Sequence, residues 1–412
     1  MQSLLILGRQ AELGLAEIES LYGSAAVRPV GTQAAVIDVD PCLLAFDRLG
    51  GAIKFCKVLT TLDTVSWKEI ERFLIKVSPD QSRMMPEGKM HLGLSLYDYK
   101  ETIQRIESTA LSLKKAIRKT GRSVRVVPNK ETELNSAQVF HNKLTGTNGW
   151  ELVIVRDGDK TIVAQTVKVQ DIDAYVRRDR ERPQRDAKVG MLPPKLAQII
   201  VNLSVGQLPS DKLQNICDIP ANEPVPLNLL NKTILDPFCG TGVVLQEASL
   251  MGYHVMGTDL EPRMVKYTTG NLEWLRDQYN LGETESLIEQ GDATNHNWQA
   301  QPHFVAAEAY LGRPFTAVPT AEILHQTVSE CNLIIRKFLQ NIHSQLAPGT
   351  RLCIAIPAWQ ITARPIRRLP LVDQIEDLGY NQVSFEHTGI GPLVYHRPDQ
   401  IVARELLVIT RK

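Results

Sequence analysis

A glycine-bearing turn between a strand and a helix constrains this chain more than any other feature. Ile234-Leu235-Asp236-Pro237-Phe238-Cys239-Gly240-Thr241-Gly242 reads as a buried strand ending in an acid, then a tight turn, then a helix from Val243. Glycine lets such a turn bring bare backbone and helix-terminal N–H groups close to a ligand. Seventeen residues past Gly242, Asp259 ends a second apparent strand that begins at Tyr253. In doubly wound sheets an acid placed one βα unit after the turn binds the ribose hydroxyls of an adenosine-type ligand. The two features together imply a nucleotide-like cofactor lying across the strand ends.

The glycine pattern bears on which cofactor. A dinucleotide fingerprint is G-x-G-x-x-G, three glycines serving a pyrophosphate. Here an acid, Asp236, precedes Gly240 and Gly242. An anion where a pyrophosphate would sit disfavours NAD and suits a ligand carrying an ammonium or a sulfonium. S-adenosylmethionine carries both. The bland reading is any tight βα turn, and the agreement in spacing of Asp236, Gly240, Gly242 and Asp259 weighs against it.

On these residues the sequence resembles a known family. D-P-F-C-G-T-G looks like the first motif of S-adenosylmethionine-dependent methyltransferases that modify exocyclic amines of nucleic-acid bases. More of the chain is similar to the tRNA guanosine-10 N2-methyltransferases of archaea and eukaryotes, which carry a THUMP RNA-binding domain. The opening Leu7-Gly8-Arg9-Gln10-Ala11-Glu12-Leu13-Gly14-Leu15-Ala16-Glu17-Ile18 resembles their start. Met191-Leu192-Pro193-Pro194-Lys195-Leu196-Ala197-Gln198, leading to Asn202-Leu203, resembles the segment ahead of their catalytic domain. The likeness spans nearly the whole chain and is most specific in the cofactor motif. It implies a Rossmann-like α/β methyltransferase domain preceded by ferredoxin-like and THUMP-like α+β units, with tRNA as partner and S-adenosylmethionine as cofactor. Asp236, Phe238, Gly240, Gly242 and Asp259 would hold that cofactor. Gly291-Asp292-Ala293-Thr294 matches the family motif that holds the adenine amino group, with Asp292 as acceptor; an ordinary loop-capping Asp remains the other reading.

Composition narrows the class. A chain of 412 residues suggests two or three domains. Its 43% hydrophobic and 22% charged residues are ordinary globular values. No run approaches the roughly 20 apolar residues of a membrane helix, and no signal-like segment opens the chain, so cytoplasm is expected. The six cysteines are scattered without a C-x-x-C pair, which suggests neither zinc nor a disulfide framework. Net charge is zero, so any footprint for RNA must be local.

That footprint is expected between Lys114 and Lys130. Lys114, Lys115, Arg118, Lys119, Arg122, Arg125 and Lys130 occur there with no acid among them. A phosphate backbone would dock on them; a solvated helix face is the alternative. The run falls in a unit expected over 63–174, with a strand at Lys89–Leu96, an amphipathic helix at Glu101–Thr120 and a hairpin over Gly149–Val169. Before it, 1–62 reads as a ferredoxin-like unit with helices at Ala11–Leu21 and Pro41–Leu49. Residues 175–189, where Arg177, Arg178, Arg180, Arg182 and Arg185 alternate with Asp179, Glu181 and Asp186, read either as a solvated linker or, by the resemblance, as an RNA contact near the cofactor site. The catalytic domain is expected over 190–412: parallel strands, then an antiparallel pair at Gln382–His387 and Ala403–Thr410 on the sheet edge.

One segment departs from the family. Amino methyltransferases of this kind place Asp or Asn, Pro-Pro and an aromatic at the end of the fourth strand. Here the place reads Glu308-Ala309-Tyr310-Leu311-Gly312-Arg313-Pro314. An exocyclic amine is a poor nucleophile because its lone pair is delocalised into the ring. Holding that lone pair toward a methyl donor supplies most of the acceleration. Glu308 is the candidate acceptor of an amine hydrogen and Tyr310 the candidate stacking platform. The chain is therefore expected to methylate an exocyclic amine of an RNA base, guanine N2 in tRNA first. A cofactor- or RNA-binding protein without transfer activity is the alternative, and a DNA amino methyltransferase a weaker one.

Overall fold

The computed structural model describes residues 2–186, 192–217, 231–281, 286–315, 317–361, 366–389, 391–398 and 400–412. In chain order the elements are β1 (Ser3–Leu7), α1 (Ala11–Tyr22), β2 (Val27–Val30), β3 (Ala34–Ile37), β4 (Ala52–Leu62), α2 (Trp67–Arg83), β5 (Met90–Tyr97), α3 (Ile103–Arg118), β6 (Val124–Val126), α4 (Ser136–His141), β7 (Gly149–Asp157) and β8 (Lys160–Val169). They continue as α5 (Ile172–Arg180), α6 (Pro194–Val205), α7 (Ser210–Cys217), β9 (Thr233–Asp236), α8 (Val243–Leu250), β10 (His254–Asp259), α9 (Pro262–Tyr279), β11 (Ser286–Gln290), β12 (Phe304–Glu308), α10 (Ala321–His343), β13 (Arg351–Trp359), β14 (Tyr380–Gln382), β15 (Val394–Tyr395) and β16 (Val402–Arg411). Two compact units form. The first comprises Met1–Ala11, Ala25–Phe46 and Ala52–Ala174, the second Glu12–Ser24, Asp47–Gly51 and Tyr175–Lys412.

The first unit is built on one eight-stranded sheet, ordered β2-β3-β1-β4-β8-β7-β5-β6. This corrects the separation expected at residue 62. β4 pairs antiparallel with β1 on one side and β8 on the other. Had the segments parted there, each would have an open strand edge, a template for unwanted pairing. The helix expected at Pro41–Leu49 is replaced by two single 3-10 turns, Pro41–Leu43 and Phe46–Arg48. The Phe46 N–H turns back onto the Leu44 carbonyl at 2.8 Å, which breaks the helical ladder. The ferredoxin-like order is therefore not completed. The apolar stripes of α2 and α3 (Trp67, Ile70, Leu74, Ile106, Leu113, Ile117) pack with Leu92, Leu94, Trp150 and Ile154 of the sheet. One ion pair lies wholly inside: Lys54 Nζ on Glu151, whose oxygens also accept from the hydroxyls of Ser95 and Thr166, both at 2.5 Å. Burial of both charges is tolerated because every carboxylate oxygen has a donor.

The second unit holds a sheet ordered β11-β10-β9-β12-β13-β16-β14, with β15 against β16. The first five strands run parallel; β16 is antiparallel to β13 and β14 antiparallel to β16. The edge pair is as expected, but β14 covers only Tyr380–Gln382 of that region. Ile335, Phe338, Leu339 and Ile342 of α10 fill the core with Val305, Ala307, Leu352, Ile354 and Leu407. α6 packs against α8, β12 and β13.

α1 belongs to this second unit, a further correction to the expected 1–62 unit. It is buried almost all round, from Leu13 to Tyr22. Glu17 accepts from the N–H groups of Gly50 (2.9 Å) and Gly51 (2.8 Å) and from Asn202 Nδ2 (2.7 Å). Arg48 donates to Asn202 Oδ1 (3.0 Å) and to the Tyr253 hydroxyl (3.1 Å). Complete burial pushes the Glu17 carboxyl up to about 7, although its donors and Arg48 pull the other way. Glu19 accepts from the backbone N–H groups of Glu386 and His387 at 2.6 and 3.0 Å.

Residues 175–186 are not a solvated linker. α5 runs through Arg180, and Arg178 forms a two-pronged pair with buried Glu247 of α8 (2.7 and 3.2 Å). Such forked geometry is the strong form of the arginine–carboxylate pair. The motif residue Met191 and the expected loop Pro220–Pro226 lie outside the described residues.

Candidate functional site

The site lies at the carboxyl ends of β9, β10 and β12, where doubly wound sheets bind ligands. β9 ends at Asp236 and β10 at Asp259, the two acids anticipated from their spacing. The turn between β9 and α8 needs its glycines. Gly240 and Gly242 have φ of 53° and 82°, in the left-handed region that other residues avoid. A side chain at Gly242 would strike Thr268, whereas one at Gly240 would meet only the Phe238 carbonyl oxygen at 3.9 Å. The turn is laced internally: Gly242 N–H donates to the Cys239 carbonyl (2.7 Å), and the Thr268 hydroxyl to the Gly240 carbonyl (2.7 Å).

Asp259 does double duty. Its Oδ2 accepts from Gly240 N–H (2.9 Å) and its Oδ1 from Glu261 N–H (2.9 Å). The Gly240 N–H is thereby used within the protein, so it is not one of the bare donors expected to meet a ligand. A carboxylate has about four lone-pair sites, which leaves room on Asp259 for hydroxyls. Leu260, the next residue, is 65% exposed at the strand end.

Asp236 is buried and accepts from Phe238 N–H (3.1 Å). Burial, then the nearby charges of Asp259 and Glu308, raise its carboxyl well above the ordinary range. Three acids thus gather at one place on the sheet. Like charges so placed favour a cationic guest, which relieves both their repulsion and the cost of burying Asp236. The ammonium and sulfonium of S-adenosylmethionine fit that donor set, and a pyrophosphate does not. Phe238 stands edge-on to Phe338 with ring centroids 5.1 Å apart, so its ring also closes the core.

Asp292 follows β11. Its Oδ1 accepts from the N–H and the hydroxyl of Thr294 (2.9 and 2.8 Å), the bonds of a capped turn. Gly291 is required there because a Cβ would lie 2.3 Å from the His296 ring.

Glu308 ends β12, with its side chain held by an ion pair to Arg404 Nε. β16 runs opposite to β13, so its first residues reach the edge where the parallel strands finish; Arg404 pairs with Pro357 there. Neighbouring Glu405 is clasped by Arg368 in turn. Tyr310, two residues past Glu308, is 43% exposed on the loop that follows. The structure therefore brings Asp236, Asp259 and Glu308 together. It adds Arg404, whose signal in the sequence is an Arg-Glu pair near the start of a mostly apolar strand.

The basic run lies in the first unit. Lys115 and Arg118 are exposed on α3 and Lys119 at its C-cap, Arg125 is exposed on β6 and Lys114 is half-buried. Arg122 is a correction: its guanidinium donates to the carbonyls of Ser82, Met85 and Pro86 and to Asn148 Oδ1. It ties the end of α2 rather than facing solvent. Among the described residues, no helix is long and apolar enough to cross a membrane.

Comparison with known proteins agrees with this geometry. Residues 230–368 match the family UPF0020, described as an RMKL-like methyltransferase domain. The chain is 32% identical over 171 residues to the tRNA (guanine(10)-N2)-dimethyltransferase of Methanothermobacter thermautotrophicus, covering 41% of this chain and 40% of that one. It is 28% identical over 170 residues to the enzyme of the same name from Pyrococcus abyssi, covering 40% and 39%. The chain thus matches about two-fifths of the length of these curated relatives. Among solved structures, TrmN from Thermus thermophilus superposes over all of both chains with a TM-score of 0.53 at 14% identity. A possible methylase from Clostridium difficile 630 superposes over 98% of this chain and 97% of that one with a TM-score of 0.51 at 11% identity. These last two likenesses concern the fold. Residues 230–368, which hold the acid-lined strand ends, are thus similar to an RMKL-like methyltransferase domain, and the methyl donor that fits such a domain is S-adenosylmethionine.

Proposed function

We propose that the protein transfers a methyl group to an exocyclic amine of an RNA base, guanine N2 in a cytoplasmic tRNA, and that the first unit is a THUMP-like RNA-binding module. The observation that carries this reading is that Glu308 ends β12 beside β9, whose last residue is Asp236, near enough for its charge to help raise the Asp236 carboxyl. S-adenosylmethionine supplies an electrophilic methyl group on a sulfonium. The residues of this chain do the rest by placement. Asp236 faces the cationic part of the cofactor, Asp259 the ribose and Asp292 the adenine amino group. Glu308 accepts an amine hydrogen and directs the lone pair. Arg404 occupies one Glu308 oxygen and fixes the carboxylate, leaving the other for the amine. Tyr310, exposed beside this acid, stacks on a base withdrawn from its helix. The names of the two archaeal relatives support guanine N2 of tRNA as the target.

The test is mass spectrometry of modified nucleosides in tRNA from cells with and without the gene, followed by transfer of labelled methyl to the unmodified tRNA in vitro. Loss of N2-methylguanosine or its dimethyl form in the deletion strain, restored by the purified protein, is the expected result. An unchanged nucleoside profile, with no RNA accepting methyl in vitro, would favour a binding protein of the same fold.

A further inference from the structure

The carboxyl ends of the strands carry a surplus of negative charge, yet the cofactor is a zwitterion. Its ammonium and sulfonium suit Asp236, but its carboxylate needs cationic donors that an acid cluster does not supply. One guanidinium lies against the cofactor turn. Arg182 is 3% exposed, and its Nη1 is 3.3 Å from the hydroxyl of Thr241, the residue between the two turn glycines. Among the described residues its Nε and Nη2 have no hydrogen-bond partner. Orphaned buried donors are rare and each calls for an explanation.

The neighbouring charges do not satisfy it. Asp179 is 3.8 Å from Nη2 and one-third exposed, an ion pair beyond hydrogen-bonding distance. Glu247 is taken by Arg178. Arg185 acts against Arg182 as a like charge. The segment bearing Arg182 is meanwhile held on the turn. Asn271 of α9 donates from Nδ2 to the carbonyls of Thr241 (2.8 Å) and Gln184 (2.9 Å), and its Oδ1 accepts from Gln184 N–H (2.9 Å). A long flexible side chain fixed in this way, with two donors unspent beside a ligand-binding turn, is pre-organised for an anion.

We propose that Arg182 binds the methionine carboxylate of S-adenosylmethionine through Nε and Nη2, with Thr241 holding the guanidinium in place. The inference rests on the cofactor assignment above. It assigns a binding role to a segment that looks in sequence like a linker.

Calorimetric titration of the full-length protein with two probes tests it: S-adenosylmethionine, and decarboxylated S-adenosylmethionine, which lacks only the carboxylate. Arg182→Met is expected to lower affinity for the first by about ten- to a hundredfold, the range for losing charged hydrogen bonds, and to leave affinity for the second within about twofold. Arg182→Lys, which keeps the charge but not the fork, should lose less and serves where the Met variant folds poorly. An equal loss for both probes would overturn the proposal in favour of a purely structural arginine. Unchanged affinity for S-adenosylmethionine would overturn it while leaving the cofactor assignment intact. Wild-type protein that binds neither probe would overturn the assignment and the subsite together.

Discussion

Glu308→Ala separates folding from chemistry in a way that can be worked through. The change removes the partner of Arg404, whose side chain is 10% exposed, while that of Glu308 is 17% exposed. Removing one member of a fully buried pair costs roughly 3–5 kcal/mol, and an exposed pair is worth about 0–1 kcal/mol. This pair lies between those limits, so a loss of about 2 kcal/mol in urea unfolding is expected. Most of it comes from the stranded guanidinium. Glu308→Ala with Arg404→Leu should therefore be less destabilised than the sum of the single changes, since no charge is left without a partner. Turnover behaves differently: both the single and the double variant should lose at least about a hundredfold in methyl transfer, because no acceptor orients the amine. S-adenosylhomocysteine affinity should stay within about threefold, the pattern of a group acting mainly in the transition state. Glu308→Gln keeps an oxygen for Arg404 and should fold nearly as well as wild type while remaining slow. Methyl transfer that survives Glu308→Ala within about threefold would refute the reasoning, and the acceptor would have to be sought elsewhere.

Three further outcomes are expected. Burial, with the charges of Asp259 and Glu308, raises the Asp236 carboxyl, so a cationic cofactor, which favours its ionised form, is expected to bind with proton release wherever the free carboxyl still carries a proton. Affinity for S-adenosylmethionine should climb by up to about tenfold per pH unit above the ordinary carboxylate value of about 3.9, roughly 1.4 kcal/mol per unit, and titration in buffers of differing ionisation heat should detect proton release; Asp236→Asn should flatten both. Glu17 is raised from 4.5 to about 7, so the folded state holds this proton more tightly than the unfolded chain. That stabilisation, about 3 kcal/mol by linkage, is fully present below the unfolded value and lost as pH rises through about 7; thermal unfolding between pH 5 and 8 checks it, with Glu17→Gln removing the slope. Changing Lys115, Arg118 and Lys119 to Ala should reduce the slope of log K against log salt for tRNA by about 2–3 if all three meet phosphates, whereas Arg122→Ala should lower stability and leave that slope unchanged.

What was legible in the sequence was local. The strand, acid, glycine turn and helix around Asp236 lie within about twenty residues, and each signal acts on its neighbours. The parallel strands of the second unit and the antiparallel edge were legible for the same reason. Partners chosen across the chain were not. Nothing near Arg182 announces Thr241, and nothing near Arg404 announces Glu308, 96 residues away. The run at Pro41–Leu49 has helical composition, yet a single backbone bond from Phe46 to Leu44 breaks it. Arg122 sits in a basic stretch and is claimed by four acceptors from other segments. Mixed charges in 175–186 suggest solvent because their counter-ions, above all Glu247, come later in the chain.

The discontinuity of the second unit bears on how the protein is made. α1 leaves the ribosome well before some of its partners: the Asn202 that Glu17 holds is 185 residues further on. At roughly 5–20 residues per second that is about 10–40 s of synthesis during which the helix lacks this partner. Glu19 waits longer still, for a backbone N–H 368 residues away. Through that interval α1 offers Leu13, Leu15, Ile18 and Leu21 to whatever binds nascent apolar helices. The stretch at Glu386 and His387, made 367 to 368 residues after Glu19, closes the unit over α1. A nascent chain arrested anywhere before the final sheet strand should remain a chaperone client.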